Sequence, residues 1–121
     1  VSKLALAHGS FFVITGIWPI LSLSTFEAVT GEKTDDWLVH SVGLLLTVIG
    51  AVLVRAGVRK RVRSDVVLLA IGAACAMAAI DIVYAARGVI SPIYYADAGI
   101  EILFVVGWIF AFRSRLRSFR S

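Results

Sequence analysis

Along this chain, apolar and polar positions fall into long blocks, without short-period alternation. Four predominantly apolar runs occupy residues 4–23, 37–54, 66–86 and 93–112, and the segments between them carry charges, Gly and Ser. A bilayer core about 30 Å thick is crossed by about 20 apolar residues in a helix. Each run therefore predicts one spanning helix, and together they use up nearly all of the 121 residues. The predicted fold is all-α: a four-transmembrane-helix antiparallel bundle, with residues 1–121 forming a single integral membrane domain. The short links make neighbouring helices antiparallel.

Composition sharpens this class. Hydrophobic residues make up 60% of the chain and charged residues 17%, against roughly 25% charged in soluble domains, and the mean hydropathy is +0.92. The first run is longer than a secretory h-region, contains Trp18-Pro19 and is not followed by a small-x-small cleavage pattern, so it is read as a retained span. Cys75 lies alone in the third run, where a small apolar packing role is expected.

Charge sets the expected threading. Lys3, Arg55, Arg59, Lys60, Arg61, Arg63, Arg113, Arg115, Arg117 and Arg120, ten of the twelve basic residues, fall on one side if the spans alternate; Lys33 and Arg87 fall on the other. The positive-inside rule then makes both termini cytoplasmic and places the chain as a multi-pass protein of a bacterial inner membrane. The formal net charge of +4 reads as a topology signal. The expected partners are membrane lipids, whose anionic headgroups suit a basic tail, within a homo-oligomer or a larger membrane complex. Nucleic acid is not expected.

Boundary residues agree with the four runs. Thr34 suits the N-cap of the second helix with Asp35 and Asp36 in its first turn, and Ser64 with Asp65 suits the start of the third. Ser91-Pro92 reads as cap and first position of the fourth helix, and Gly88 as the left-handed end of the third. Pro19 is expected to kink the first helix near its outer end. Small residues let helices approach in lipid. The third run holds Ala70, Gly72, Ala73, Ala74, Ala76, Ala78 and Ala79, so it is expected to be the central helix, facing shallow surfaces at Gly43, Gly50 and Gly99.

Against this apolar background the intramembrane polar residues stand out, because a charge in a bilayer is costly and normally turns inward to a partner. Asp81 lies about 7 Å inside the outer end of the third run, with Tyr84 and Arg87 at three-residue steps after it. Asp97 and Glu101, one turn apart in the fourth run, reach about 6 and 12 Å from the same side. His40 and Glu27 bring the other two helices to that level. His8, Ser10, Thr15 and Thr47 are the few polar residues of the inner half. The candidate ligand-binding set is therefore Glu27, His40, Asp81, Tyr84, Arg87, Asp97 and Glu101, with Asp81, Arg87 and Glu101 expected as one cluster and Tyr84 at its rim. Trp18, Trp37, Tyr84, Tyr94 and Tyr95 form either an aromatic belt at the headgroups or the wall of a cavity. No metal set is assigned, since one His without Glu-x-x-His pairs does not make a bundle metal site, and no cofactor follows from the sequence.

Two segments, FEAVTGEKTDDWLV and IDIVYAARGVISPIYYADAGIE, resemble a group of small bacterial four-helix integral membrane proteins with no assigned activity. The layout is similar to that of DoxX-like proteins. The resemblance implies the four-span fold and an outer polar site at Glu27, Asp81, Tyr84, Arg87, Asp97 and Glu101, with Thr30, Gly31 and Trp37 nearby; it implies no substrate. The favoured function is binding of a small amphiphile, a lipid portion or a proton in an outer polar pocket. The alternatives are an accessory subunit of a larger membrane complex, and a membrane-embedded enzyme or proton-coupled transporter using Glu101 or Asp81 as proton carrier.

Overall fold

The computed structural model describes the backbone of residues 1–31 and 36–120 and the side chains of residues 1–31 and 37–114. Regular structure there is entirely helical: α1 (Ser2–Leu21), α2 (Leu23–Thr30), α3 (Asp36–Val58), α4 (Ser64–Ala86) and α5 (Tyr94–Arg120). The four long helices, α1, α3, α4 and α5, are each long and apolar enough to cross a membrane. Their outward surface is apolar, with Leu68 and Leu103 each 72% exposed, while His8, Asp81 and Glu101 are buried. An apolar exterior around a few buried ionisable groups is the arrangement that lipid selects.

The additional helix, α2, is the one departure in element number. Pro19 stays inside α1 and is buried; the break comes three residues later at Ser22, whose φ of −152° and ψ of 85° leave the helical region. There Thr25 Oγ1 donates within a polar turn to Ser22 O at 3.1 Å, and Trp18 Nε1 donates to Thr25 Oγ1 at 3.1 Å. The indole then meets Phe26 edge-on, at 5.3 Å between ring centres. Local side-chain bonds of this kind compete with the helical ladder, and they redirect the chain here where an apolar pattern alone would continue.

Other boundaries shift by up to about two turns, most at the end of α5. α3 and α5 run past the expected apolar runs, beyond Val54 and Phe112, through Arg-containing segments, and Arg is a good helix former. Ser64 is the first helical residue of α4, not its cap; Asp65 Oδ1 accepts from Val66 N at 2.9 Å. Ser91 Oγ accepts from Ile93 N at 3.3 Å and so caps the turn that leads into α5. Thr34 and Asp35 lie outside the described residues. Gly88 has φ +73°, with Gly88 N donating to Ala85 O and Val89 N to Tyr84 O. This paired ending is the Schellman motif that a glycine permits.

The closest helix contact is between α1 and α3. Gly9 meets Gly50, Gly16 meets Gly43 and Ser2 meets Gly57; one number falls as the other rises, so the two helices are antiparallel. A Cβ on Gly16 would sit 2.5 Å from Gly43 O, and one on Gly50 would sit 2.6 Å from Gly9 O. The seam thus depends on hydrogen at these positions, repeated every seven residues, and it is the small-residue packing that joins helices in lipid.

α4 packs mainly on α5, and contacts between the α1–α3 pair and the α4–α5 pair are sparse. α4 is therefore half of a second pair, not a central helix. Ala70, Ala74 and Ala78 are buried, but Gly72, Ala76 and Ala79 face outward, as does Cys75. Gly99 likewise has open space beside it. The two pairs join through a core of Ala5, Phe12, Leu53, Ala56, Val62, Val67, Ala70 and Trp108. This core occupies the half of the bundle that holds the termini and the α3–α4 link. The other half, beside α2 and the α4–α5 link, is where the pairs separate.

Candidate functional site

At that separated end lies a cavity of about 550 Å³, walled by all five helices and the α4–α5 link. α1 contributes Phe11, Phe12, Thr15, Trp18 and Pro19; α2 contributes Phe26, Val29 and Thr30. From α3 come Leu38, Val39, Val42, Gly43 and Leu46, spaced as one helical face. The second pair supplies Met77, Ile80 and Asp81 from α4, and Asp97, Ile100 and Glu101 from α5. The wall is predominantly apolar, with its carboxyl groups gathered on the α4–α5 side. This matches the general form of small-molecule sites, in which apolar lining does most of the enclosing and a few polar groups orient the ligand.

Asp81 is placed by the buried stripe of α4. Val67, Ala70, Ala74, Ala78, Asp81 and Ala85 follow one another at steps of three or four residues and are all buried. Asp81 is 2% exposed and Glu101 1%. Asp97 lies within side-chain hydrogen-bonding reach of Asp81, and Glu101 is close enough to both aspartates to interact electrostatically. Two carboxyl groups at that range can bond only by sharing a proton, because carboxylates themselves only accept. Asp81 Oδ2 and both Glu101 oxygens are buried without a hydrogen-bond partner.

Below Glu101 the site continues into the core through His8. Trp108 Nε1 donates to His8 Nδ1 at 3.0 Å, which leaves Nε2 as the protonated nitrogen of the ring. His8 Nε2 stands 3.8 Å from Glu101 Oε1, longer than a hydrogen bond. Phe104 stacks on the imidazole at 4.2 Å and Phe12 tilts against it at 4.4 Å, so the ring has little freedom to turn. In the sequence His8 belongs to the inner half and has no evident partner. Its signal is its register: Ala5, His8, Phe12 and Pro19 lie on the buried stripe of α1.

Of the seven candidate ligand-binding residues, the structure brings Asp81, Asp97 and Glu101 together at the cavity. Tyr84 and Arg87 stand apart. Steps of three residues drift about 60° backward around a helix with each step, so Tyr84 is 41% exposed and the buried stripe passes instead to Ala85. Arg87 is exposed at the C-cap of α4. The expected Asp81–Arg87 pair is thus not formed, and Glu101 instead faces the neutral His8 ring at 3.8 Å. His40 is half-buried, one position round from the Val39–Val42–Leu46 face that lines the cavity. Glu27 is likewise beside the Phe26–Thr30 face of α2, half-buried, with Oε1 lacking a hydrogen-bond partner among the described residues. Of the aromatic residues, Trp18 and Tyr94 wall the cavity, while Trp37 and Tyr95 are exposed.

The described residues contain no group of three or more His, Cys, Asp or Glu that could hold a metal ion. No protein-family model matches the chain, and no characterised protein or solved structure matches it either.

Proposed function

We propose that this chain is a multi-pass membrane protein that binds a small amphiphile in the cavity between its two helix pairs. The observation that carries this reading is the cavity itself: about 550 Å³, aromatic and aliphatic over most of its wall, with Asp81, Asp97 and Glu101 on one side. An amphiphile would place its apolar portion among Phe11, Phe12, Phe26 and Leu46 and its polar end at the carboxyl groups. A purely structural polar cluster would be expected to bond its own members fully; here three carboxyl oxygens are left over.

On this reading the termini face the cytoplasm and the cavity lies in the outer half of an inner membrane. The support is the charge distribution. Lys3, Arg55, Arg59, Lys60, Arg61, Arg63 and Arg113 are exposed at the end that bears the termini, and among the described residues Arg87 is the basic residue exposed at the other. Lipids are then both the solvent of the protein and the source from which an amphiphile enters.

The test is calorimetric titration of 4-phenylbutanol into the protein held in phosphatidylcholine nanodiscs, with empty discs as blank. Saturable binding is expected. It should be lost in Ala96→Trp, which fills the cavity wall, and kept in Leu103→Trp, where the position is 72% exposed on the apolar exterior. Equal behaviour of the two variants would overturn the reading.

A further inference from the structure

The unsatisfied carboxyl atoms say more about the ligand than that it is amphiphilic. Asp81 Oδ2, Glu101 Oε1 and Glu101 Oε2 are buried without a hydrogen-bond partner, in side chains 2% and 1% exposed that line the same cavity. A carboxylate buried without donors is strongly disfavoured, so a partner that supplies donors or positive charge would be favoured there. The described residues supply little of either. Among the described residues no Lys or Arg lines the cavity, Arg87 is exposed, and His8 reaches Glu101 only at 3.8 Å from the core side. A metal ion is not the match, because the carboxyl groups do not converge on a metal-holding set. The partner must also tolerate the neighbouring rings of Phe11, Phe12, Phe26 and Tyr94. Those rings attract cations through their faces.

We infer that the cavity is built for a lipophilic ammonium ion, a protonated amine donating to Asp81 and Glu101 with its apolar portion among the aromatic side chains. The inference rests on the reading that the cavity binds an amphiphile, and it commits that reading to one charge type. An ammonium group carries only donors and no acceptor, which complements a wall whose free atoms are acceptors. An alcohol brings one donor and no charge. A carboxylate would bring a fourth acid to three already close together.

Three isosteric probes separate these cases in phosphatidylcholine nanodiscs: 4-phenylbutylammonium, 4-phenylbutanol and 4-phenylbutanoate. The ammonium is expected to bind at least tenfold more tightly than the alcohol, and the carboxylate more weakly than both. In the doubly isosteric variant Asp81→Asn with Glu101→Gln, ammonium affinity should fall at least tenfold while alcohol affinity stays within about twofold, which also shows that the cavity is intact. Equal affinities for ammonium and alcohol on the unaltered protein would overturn the inference and leave amphiphile binding standing. So would an ammonium preference that survives the double substitution. If none of the three probes binds, both readings fall. Should the double variant lose the alcohol as well, the ranking of the three probes on the unaltered protein decides the matter alone.

Discussion

The α1–α3 seam and the gap between the two helix pairs are built from the same apolar alphabet and reach opposite results. In the seam, Gly9, Gly16, Gly43, Gly50 and Gly57 present no side chain at the points where the backbones come closest. Between the pairs, bulky residues do the contacting: Phe12, Trp108 and the stacked His8–Phe104 rings bridge the two halves near the termini. Where that bulk ends, at the level of Glu101, the pairs no longer meet and the cavity begins. Lipid does not press helices together as water would, so side-chain size at each level decides whether two helices touch, are propped apart by packed rings, or leave a space. The buried carboxyl groups of Asp81 and Glu101 lie where there is a space.

The largest effect should follow from removing the prop. Trp108 is fully buried and donates to His8, so Trp108→Ala is expected to cost about 3–5 kcal/mol through the void it leaves. Unfolding by denaturing detergent, followed by circular dichroism, measures this; a loss below about 1 kcal/mol would mean that the pairs are held together elsewhere. The seam comes next. Gly16→Ala drives a methyl group onto the Gly43 backbone and should cost about 1–3 kcal/mol. Gly72→Ala, at a glycine with open space around it, should change stability by less than about 0.5 kcal/mol. Similar losses for both would dissolve the contrast between seam and open surface. The smallest change has the opposite sign. Asp81→Leu removes a buried carboxyl group whose Oδ2 lacks a partner and, despite the lost bond to Asp97, should leave the ligand-free protein unchanged or more stable by about 1 kcal/mol. A large destabilisation would make Asp81 an architectural residue and weaken the case for a ligand.

How much of this is legible in the sequence depends on the residue. The four long helices are, because their apolar runs match the bilayer thickness, and the Schellman ending at Gly88 is, because a glycine after an apolar run has few other uses. The meeting of Asp81 with Asp97 and Glu101 can be read from antiparallel threading and depth. Arg87 misleads: a three-residue step looks like one face but turns away by about 60° each time, and the arginine ends up on the outside. The pairing of helices is legible only in part. Gly43 and Gly50 are visibly seven apart, but their partners are Gly9 and Gly16 on α1, whereas the alanine-rich α4 draws attention to itself. Small residues permit close approach without specifying which helix approaches. His8 is hidden for a related reason: its partners Trp108 and Glu101 lie about a hundred residues away in sequence, and no local pattern links them. α2 is hidden because the break at Ser22 rests on side-chain hydrogen bonds, not on hydropathy.

The central claim is that a small amphiphile occupies the space between the two helix pairs, and photolabelling tests it most directly. A diazirine-bearing phenylalkyl alcohol is irradiated with the protein in phosphatidylcholine nanodiscs, and the modified residues are located by peptide mass spectrometry. The account predicts labels on cavity residues such as Phe26, Leu46, Met77 and Ile100, competed away by unlabelled 4-phenylbutanol and abolished by Ala96→Trp. Labels confined to the apolar exterior, at Leu45, Leu68, Leu103 or Phe110, and insensitive to competitor, would contradict it.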